Sequence, residues 1–526
     1  MRSITIPAIG LLLLTACGGG GGSGGTTLTP VGWTSGVFQS ASNFANKCAM
    51  PRTGTDPFTN TAYPDKAGTT LDENNFLRSW NNDLYLWFNE VTDRNPSLYA
   101  TTALYFDVLM TTAITSTGVP KDKFHFTYKT SDWEALSQTG VQAGYGAAWE
   151  FLAIRPPRKL VIAYVKAGTP ATTAPANLAR GAQILQVDGV DLVNDNTQAG
   201  VDTLNAGLSP AAPNETHTFV VQDFGASGTR TVTLTSISIA SESVRNVTTF
   251  PTAGGTAGYM LFNDHLAASE GAVVSAFTTL QAAGVTDLVL DIRYNTGGYL
   301  DIASEVAYMI AGAAQTNGKT FELTQFNSKH PTVDPVAGGA ITPTLFESTT
   351  QGFSTTAGQP LPTLNLNRVF VLTGQDTCSA SESIINSLNG IGVQVIQIGS
   401  TTCGKPYGFY PQDNCGTTYF SIEFRGVNAM NFGDYTDGFS PQNDPTPTNA
   451  VLPGCSVADD YGHALGDPAE GRLAAALNYI ATPGACPSPA SGFAKSLLAQ
   501  QPATIGGIPL IAPSSRALRI LRHQQH

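Results

Sequence analysis

The sequence predicts a layered α/β core, preceded by a β-rich middle domain and a helical N-terminal domain. Two patterns carry this prediction. In residues 241–486, strand-like and helical segments alternate: residues 287–292 form a nearly continuous apolar strand, and apolar side chains then recur at helical spacing from Ile302 to Ile310. In residues 138–240, short alternating segments are separated by turn residues, which is typical of a small β domain.

Residues 1–16 have the features of a bacterial lipoprotein signal peptide. Arg2 supplies a positive charge, residues 4–14 are apolar but too few to span a bilayer, and residues 14–17 resemble a lipobox. Cys17 is therefore the predicted lipidation site, and the glycine-rich residues 17–39 would form a tether. An ordinary secretory signal is the alternative. The lipoprotein interpretation predicts a lipid-anchored protein of the bacterial cell envelope, at the outer membrane and facing the periplasm or the surface.

Residues 40–137 are predicted to form the helical domain. Residues 75–91 carry large apolar side chains at helical spacing, including Trp80 and Trp87, and a second helix is predicted over 104–112. The aromatic stripe indicates packing and not a ligand site.

The remaining elements follow from short apolar runs and the turn residues between them. Strands of the middle domain are predicted at 160–165, 183–187, 218–221 and 231–234, and those of the core at 287–292, 368–372 and 393–398. A helix is predicted over 380–389. Residues 487–526 are rich in Pro, Ser and Ala, so we expect a poorly ordered tail.

Composition limits the possible partners and cofactors. Of the 526 residues, 42% are hydrophobic and 13% are charged, and the net charge is −12. The sequence shows no basic patch, so a nucleic-acid partner is not expected. No CxxC spacing suggests zinc, and neither a metal nor a cofactor is predicted.

Seven cysteines occur, and six remain if Cys17 carries lipid. An even number in an exported chain favours disulfides. Cys403 and Cys415 could close a short hairpin, and Cys455 and Cys486 could clamp the last helix, although six cysteines permit other pairings.

Three segments supply the parts of an acyl-transfer site. Ser379 follows a predicted strand and opens a predicted helix, where helix N-terminal amides favour negative charge; Lys405 lies in an aromatic, nearly uncharged turn that would favour a neutral amine. Gly297, Gly298 and Ala380 could offer backbone amides to an oxyanion. Each part has a plainer alternative, which is a helix cap for the serine, an exposed turn for the lysine and a simple turn for the glycines.

In this order the segments resemble the S41 family, the C-terminal processing or tail-specific peptidases. The resemblance rests on residues 291–298 (DIRYNTGG), 379–382 (SASE) and 402–405 (TCGK), and it covers roughly residues 75–480. It implies a crotonase-like α/β core in which Ser379 attacks and Lys405 acts as the base. Residues 138–240 resemble a PDZ domain, whose carboxylate-binding loop would be Gly144, Tyr145 and Gly146 and whose ligand would be the C-terminus of a peptide or protein substrate.

Two departures from the family pattern concern the base. Many members place a glutamine four residues after the lysine, where this chain has Phe409, with Gln412 as the nearest substitute. Some relatives use a histidine that precedes the PDZ domain, which makes His125 an alternative base. His265 and His463 are interpreted as ordinary turn or core residues.

The leading hypothesis is therefore a serine endopeptidase of the cell envelope. A non-catalytic envelope lipoprotein that binds peptides through its PDZ-like domain is the second hypothesis. A serine hydrolase that acts on a small ester is the third, and the PDZ-like segment argues against it.

Overall fold

The computed structural model describes residues 33–489 and 519–520. The predicted signal peptide, Cys17, most of the tether and most of the tail from residue 490 onward lie outside these residues. Within them, we find no helix that combines the length and apolarity needed to cross a bilayer.

The N-terminal part holds one long helix and several short elements. It comprises strands β1 (Lys47–Cys48), β2 (Lys66–Ala67) and β3 (Phe126–Lys129), and helices α1 (Thr70–Leu84), α2 (Thr102–Phe106) and α3 (Thr130–Glu134). Helix α1 is capped by Thr69, whose backbone N–H donates to the Asp72 side chain while its hydroxyl accepts from the Asp72 N–H. The predicted helix over 75–91 thus begins earlier and ends at Leu84, and the one over 104–112 ends at Phe106.

The middle domain is a small antiparallel sheet with one helix. Its strands are β4 (Val141–Gly144), β5 (Ala147–Ala153), β6 (Lys159–Val165), β7 (Gln183–Val187), β8 (Val190–Asp191), β9 (Thr216–Gln222), β10 (Arg230–Thr235) and β11 (Ile237–Ala240), and its helix is α4 (Gln198–Leu208). The main sheet has the order β10-β9-β7-β6-β5, with β5 at one edge. Strands β4 and β11 pair with each other, antiparallel. The predicted boundaries at 138 and 240 remain a prediction.

The C-terminal part contains the larger sheet. Its strands are β12 (Val244–Thr252), β13 (Gly255–Phe262), β14 (Asp287–Asp291), β15 (Gly298–Tyr299), β16 (Thr320–Phe326), β17 (Thr344–Leu345), β18 (Arg368–Thr373), β19 (Gln394–Gly399), β20 (Tyr407–Gly408), β21 (Gln412–Asn414), β22 (Thr417–Phe420), β23 (Phe424–Val427), β24 (Phe439–Pro441), β25 (Ala450–Leu452), β26 (Gly454–Ser456) and β27 (Arg519–Ile520). Its helices are α5 (Glu270–Ala282), α6 (Leu300–Ala311), α7 (Ala313–Thr316), α8 (Ala380–Gly390) and α9 (Gly471–Ala481).

The central sheet is covered by helices on both faces. Its order is β12-β13-β14-β18-β19-β26, and all pairs except β12–β13 are parallel. Alternate residues of β14 enter opposite cores: Leu288 and Leu290 pack with helices α5, α6 and α8, whereas Val289 packs with α9. Burial on both faces explains the nearly continuous apolar run that the sequence shows there. The predicted α/β layering is thus present, and the crotonase-like description remains a prediction.

The N-terminal part is joined to the C-terminal part by backbone hydrogen bonds and a disulfide, and a separate helical domain remains a prediction. Strand β3 pairs with β22 of the C-terminal part, and the Leu86 N–H donates to the Ile422 carbonyl at 2.8 Å. A disulfide also joins Cys48 to Cys415. These contacts join segments far apart in sequence, so no local sequence pattern predicts them.

Candidate active site

Ser379 lies at the turn between β18 and helix α8, as the sequence predicts. It is fully buried, and its backbone has φ 61° and ψ −115°, a conformation that a residue with a side chain adopts only when its surroundings enforce it. The Ser379 hydroxyl makes no hydrogen bond to the described residues. A buried hydroxyl on strained backbone at a helix N-terminus has the properties expected of a nucleophile. A helix cap needs neither the strained backbone nor the full burial.

Lys405 is also fully buried, so the exposed-turn alternative is wrong. Its Nζ lies 4.1 Å from the centre of the Phe409 ring and 5.0 Å from that of Phe124. Phe409 stands where many S41 members carry glutamine, and here it forms an apolar wall beside the amine. Gln412, the nearest substitute in sequence, donates from its side-chain amide to the Asp413 carbonyl.

The Glu382 carboxylate joins the two segments. Its Oε2 accepts from the backbone N–H of Ser379 at 2.9 Å and from that of Lys405 at 2.8 Å, and its Oε1 accepts from the Thr402 hydroxyl and the Gly404 N–H. Burial raises the pKa of Glu382, and these hydrogen bonds oppose that rise. Glu382 enters the sequence analysis only as the last residue of the 379–382 segment, because its hydrogen bonds to residues 402–405 join segments that are far apart in sequence.

The glycine pair forms the predicted tight turn after β14. Gly297 and Gly298 have φ values of 101° and 143°, and a Cβ on Gly298 would lie 2.5 Å from the His265 carbonyl oxygen. The Gly297 N–H donates to Asn295 Oδ1 at 3.0 Å, so it is used inside the turn and is a poor oxyanion donor. Gly298 and Ala380, the first residue of α8, remain the candidates.

Asn295 ties this turn to the nucleophile segment. Its backbone carbonyl accepts from the Cys378 N–H at 3.1 Å and from the Ser381 hydroxyl at 3.0 Å, while its side chain holds Gly297. The Asn295 side chain also meets His265 Nδ1 at 3.0 Å. Burial lowers the pKa of His265 to about 3, so this imidazole is neutral. His265 therefore supports the glycine turn, a role that the sequence interpretation missed.

The alternative base His125 makes contacts with Phe106. Its ring stacks on Phe106 with the ring centres 3.7 Å apart, and its Nε2 meets the Phe106 carbonyl at 3.0 Å. Burial lowers its pKa. Because the Ser379 hydroxyl has no hydrogen-bond partner among the described residues, His125 is not hydrogen-bonded to it. His463 is half exposed and pairs with Asp460, as an ordinary surface residue would.

A second lysine near the site was missed. Lys123 Nζ donates to the Cys403 carbonyl at 3.0 Å, two residues before Lys405. Burial lowers the pKa of Lys123, and the Glu382 carboxylate opposes that effect. No sequence motif predicts that Lys123 belongs to the site, and only its contacts in the folded structure show this.

The disulfides differ from the predicted pairing. Cys403 bonds to Cys378, and Cys415 bonds to Cys48, so the predicted Cys403–Cys415 bridge is wrong. The reason is that the Lys405 segment lies against the Ser379 turn, where the Cys403 N–H donates to the Thr377 carbonyl at 3.0 Å. The predicted bridge between Cys455 and Cys486 is confirmed. The Cys378 and Cys403 sulfurs lie close to Glu382, but sulfurs bonded to each other are not the thiolates that bind metals.

The predicted carboxylate-binding loop lies at the start of the middle domain. Gly144 ends β4, and Gly146 has φ 81° and would place a Cβ against the Thr169 side chain. Tyr145 points into the domain core, where its hydroxyl donates to the Gly207 carbonyl at 2.8 Å. Any ligand contact from this residue would therefore be made by its backbone.

The chain resembles known proteases. Residues 256–409 match the family described as Peptidase family S41. A candidate S41 protease from Bacteroides fragilis NCTC 9343 is 23% identical, with 80% of this chain and 97% of that chain covered and a TM-score of 0.54, which shows a shared fold. The photosystem II D1 C-terminal processing protease is 20% identical, with coverages of 74% and 94% and a TM-score of 0.41. The PDZ domain of a carboxy-terminal protease from Vibrio cholerae is 21% identical, with coverages of 19% and 97% and a TM-score of 0.15. No curated protein matches significantly.

Proposed function

We propose that this protein is an endopeptidase in which Ser379 is the nucleophile and Lys405 the general base. The proposal is supported by the match of residues 256–409 to peptidase family S41 and by the fold shared with a candidate S41 protease. The observation that carries the proposal is the shared acceptor. The backbones of both residues donate to one oxygen of Glu382, inside a buried site. Such a contact fixes the two segments relative to each other, as a nucleophile and its base require.

In the proposed reaction, Ser379 Oγ attacks the scissile carbonyl while Lys405 Nζ accepts the hydroxyl proton. The resulting oxyanion is held by the Gly298 and Ala380 N–H groups, and the ammonium then gives its proton to the leaving amine. Water hydrolyses the acyl-enzyme in a second step with the same base.

The amine must be neutral to accept a proton. Contact with aromatic rings stabilises an ammonium by roughly 0.5–2 kcal/mol, whereas removing an ammonium from water costs several kcal/mol. The proposed reaction therefore requires Lys405 to act as the neutral amine within its buried site. The Ser379 hydroxyl is not yet hydrogen-bonded within the described residues, and such bonds often close only when substrate is present.

A peptide substrate is favoured over a small ester by the edge beside the glycine turn. Strand β15 pairs in parallel with the backbone of β27, in the register Gly298 to Arg519 and Tyr299 to Ile520. This edge can therefore receive an extended chain next to the proposed oxyanion site. In the PDZ-like domain, β5 is the edge strand and follows residues 144–146, so we propose that substrate C-termini bind there.

We further propose that the protein works in the bacterial cell envelope, anchored to the membrane by lipid on Cys17. The support is the N-terminal sequence together with three disulfides, which form and persist in oxidising compartments. No part of the proposal involves nucleic acid.

A fluorophosphonate probe tests the proposal because it reacts only with an activated serine. We expect the wild type to be labelled and Ser379→Ala not to be labelled. Ser387→Ala is the matched control, since Ser387 lies in the same helix, is equally buried and has no hydrogen-bond partner for its hydroxyl among the described residues. Lys405→Ala should abolish peptide cleavage without unfolding the protein, and His125→Ala should retain it.

The second candidate is a non-catalytic peptide-binding lipoprotein. This candidate is favoured by the state of the Ser379 hydroxyl, which has no hydrogen bond to a base among the described residues. A folded wild type that binds peptide C-termini but is neither labelled nor able to cleave a peptide library would establish this candidate and refute the peptidase.

A further inference from the structure

The nucleophile and base segments are joined covalently. Cys378 immediately precedes Ser379, and Cys403 lies two residues before Lys405. These cysteines form a disulfide whose partners are 1% and 7% exposed. The bond closes a loop that contains helix α8 and strand β19, and it lies at the end of that loop where both proposed catalytic residues emerge.

The other two disulfides of the described residues lie elsewhere. Cys48–Cys415 fastens the N-terminal part to the segment between β21 and β22. Cys455–Cys486 joins β26 to the residues after helix α9. They therefore provide controls that share the chemistry of the first bond but not its position.

Breaking the Cys378–Cys403 bond would disturb the spacing of the site. Bonded sulfurs are about 2 Å apart, whereas two thiols need roughly 3.5 Å, so the two segments must absorb about 1.5 Å. The freed Cys403 thiol would also gain a proton that it can donate to Glu382 Oε2, which lies 3.5 Å from the sulfur. That oxygen is the acceptor shared by Ser379 and Lys405.

We propose that the Cys378–Cys403 disulfide is a positioning element of this active site, and that full activity requires it. The inference rests on the proposed peptidase function. A displacement of about 1 Å can cost on the order of 100-fold in rate. Loss of the bond should therefore lower kcat by about 10- to 100-fold and leave KM nearly unchanged, because the peptide-binding edges are made by other segments.

The test compares Cys378→Ala/Cys403→Ala with Cys455→Ala/Cys486→Ala. Both variants are checked for folding by circular dichroism, and kcat, KM and the pH–rate profile are measured. We expect the first variant to lose kcat and to shift the limb of the pH profile that reports the base, while the second keeps wild-type values. Equal losses in both variants, or a first variant within 3-fold of the wild type in kcat with an unchanged profile, would overturn the inference.

A second measurement applies even if the first variant folds poorly. Wild-type protein is treated with a phosphine reductant, trapped with an alkylating agent and mapped by mass spectrometry as its activity falls. Activity should follow reduction of Cys378 and Cys403 and not that of the other pairs; the opposite dependence would refute the inference. Fluorophosphonate labelling separates the two proposals: an unlabelled oxidised wild type refutes the peptidase, whereas equal labelling of oxidised and reduced protein refutes only the role of the disulfide.

Discussion

Replacing Glu382 by glutamine tests the contact on which the site depends. The change keeps the shape of the side chain but turns one of its two acceptor atoms into a donor. Each carboxylate oxygen now accepts two hydrogen bonds, Oε1 from the 402–404 segment and Oε2 from Ser379 and Lys405. In either orientation of the glutamine amide, its NH2 group replaces one acceptor oxygen. Two of the four hydrogen bonds are then lost, and the NH2 group lies against two other hydrogen-bond donors.

The expected size follows from these bonds. Hydrogen bonds to charged groups contribute about 1.5–3 kcal/mol each, so two of them amount to about 3–6 kcal/mol. A neutral amide avoids part of the cost of burying the carboxylate, which offsets some of this loss. We therefore expect the Glu382→Gln variant to be destabilised by about 3 kcal/mol and, because the two segments separate, to lose about 100-fold in kcat.

The assay is peptide cleavage combined with denaturant unfolding, with Glu423→Gln as the matched control. Glu423 is equally buried but accepts only from the Tyr410 N–H at 3.2 Å among the described residues. Burial raises the pKa of Glu423 well above its ordinary value, so a neutral amide resembles the native protonated form and should change stability by less than about 1 kcal/mol. A Glu382→Gln enzyme with kcat within 3-fold of the wild type would refute the reasoning.

Three further predictions concern stability. Burial and the neighbouring Glu270 raise the pKa of Glu305 to about 9. The protonated side chain therefore stabilises the fold fully below the ordinary glutamate pKa, and this stabilisation is lost as pH rises through about 9. The Glu305→Gln variant should show a smaller fall in melting temperature between about pH 7 and pH 10 than the wild type, and parallel curves for the two proteins would contradict this. The Ser379→Gly variant should be about 1 kcal/mol more stable than Ser379→Ala, because glycine adopts the positive φ of this position without steric strain. If chemical denaturation ranks the two variants in the opposite order, the backbone at this position is unstrained. Arg180 of the middle domain pairs with the buried Asp459, which also pairs with Arg293, so Arg180→Ala should cost about 1.5–3 kcal/mol and speed limited proteolysis of residues 141–240. A digestion rate equal to that of the wild type would exclude a docking role.

The sequence predicted the sheets better than the surroundings of the site. Strand Gln183–Val187 has the predicted bounds, and helix Ala380–Gly390 differs from its predicted range by one residue, because both elements carry strong local signals. The helix predicted over 104–112 ends at Phe106, and beyond it the Leu109 carbonyl accepts from Asn81 while the Thr111 N–H donates to the Tyr85 hydroxyl, so these residues bond to another segment.

The candidate site shows the same division. Ser379, Lys405 and the Gly298 turn each carry a local pattern, and the structure brings the serine and lysine backbones onto one carboxylate. The other roles of Glu382, His265 and Lys123 arise only when segments far apart in sequence meet. Local periodicity does not predict contacts between segments that are far apart in sequence. The disulfide partner of Cys403 was predicted wrongly for that reason.

The pairing of β4 with β11 gives the molecule a modular construction. The chain enters and leaves the middle domain along these adjacent antiparallel strands, with Val141 opposite Ala240 and Gly144 opposite Ile237. A unit whose two ends lie side by side can be exchanged for another of different size while the geometry at its base is preserved. A domain of different binding specificity could therefore replace the middle domain at this two-stranded base without changing the residues around Ser379 and Lys405.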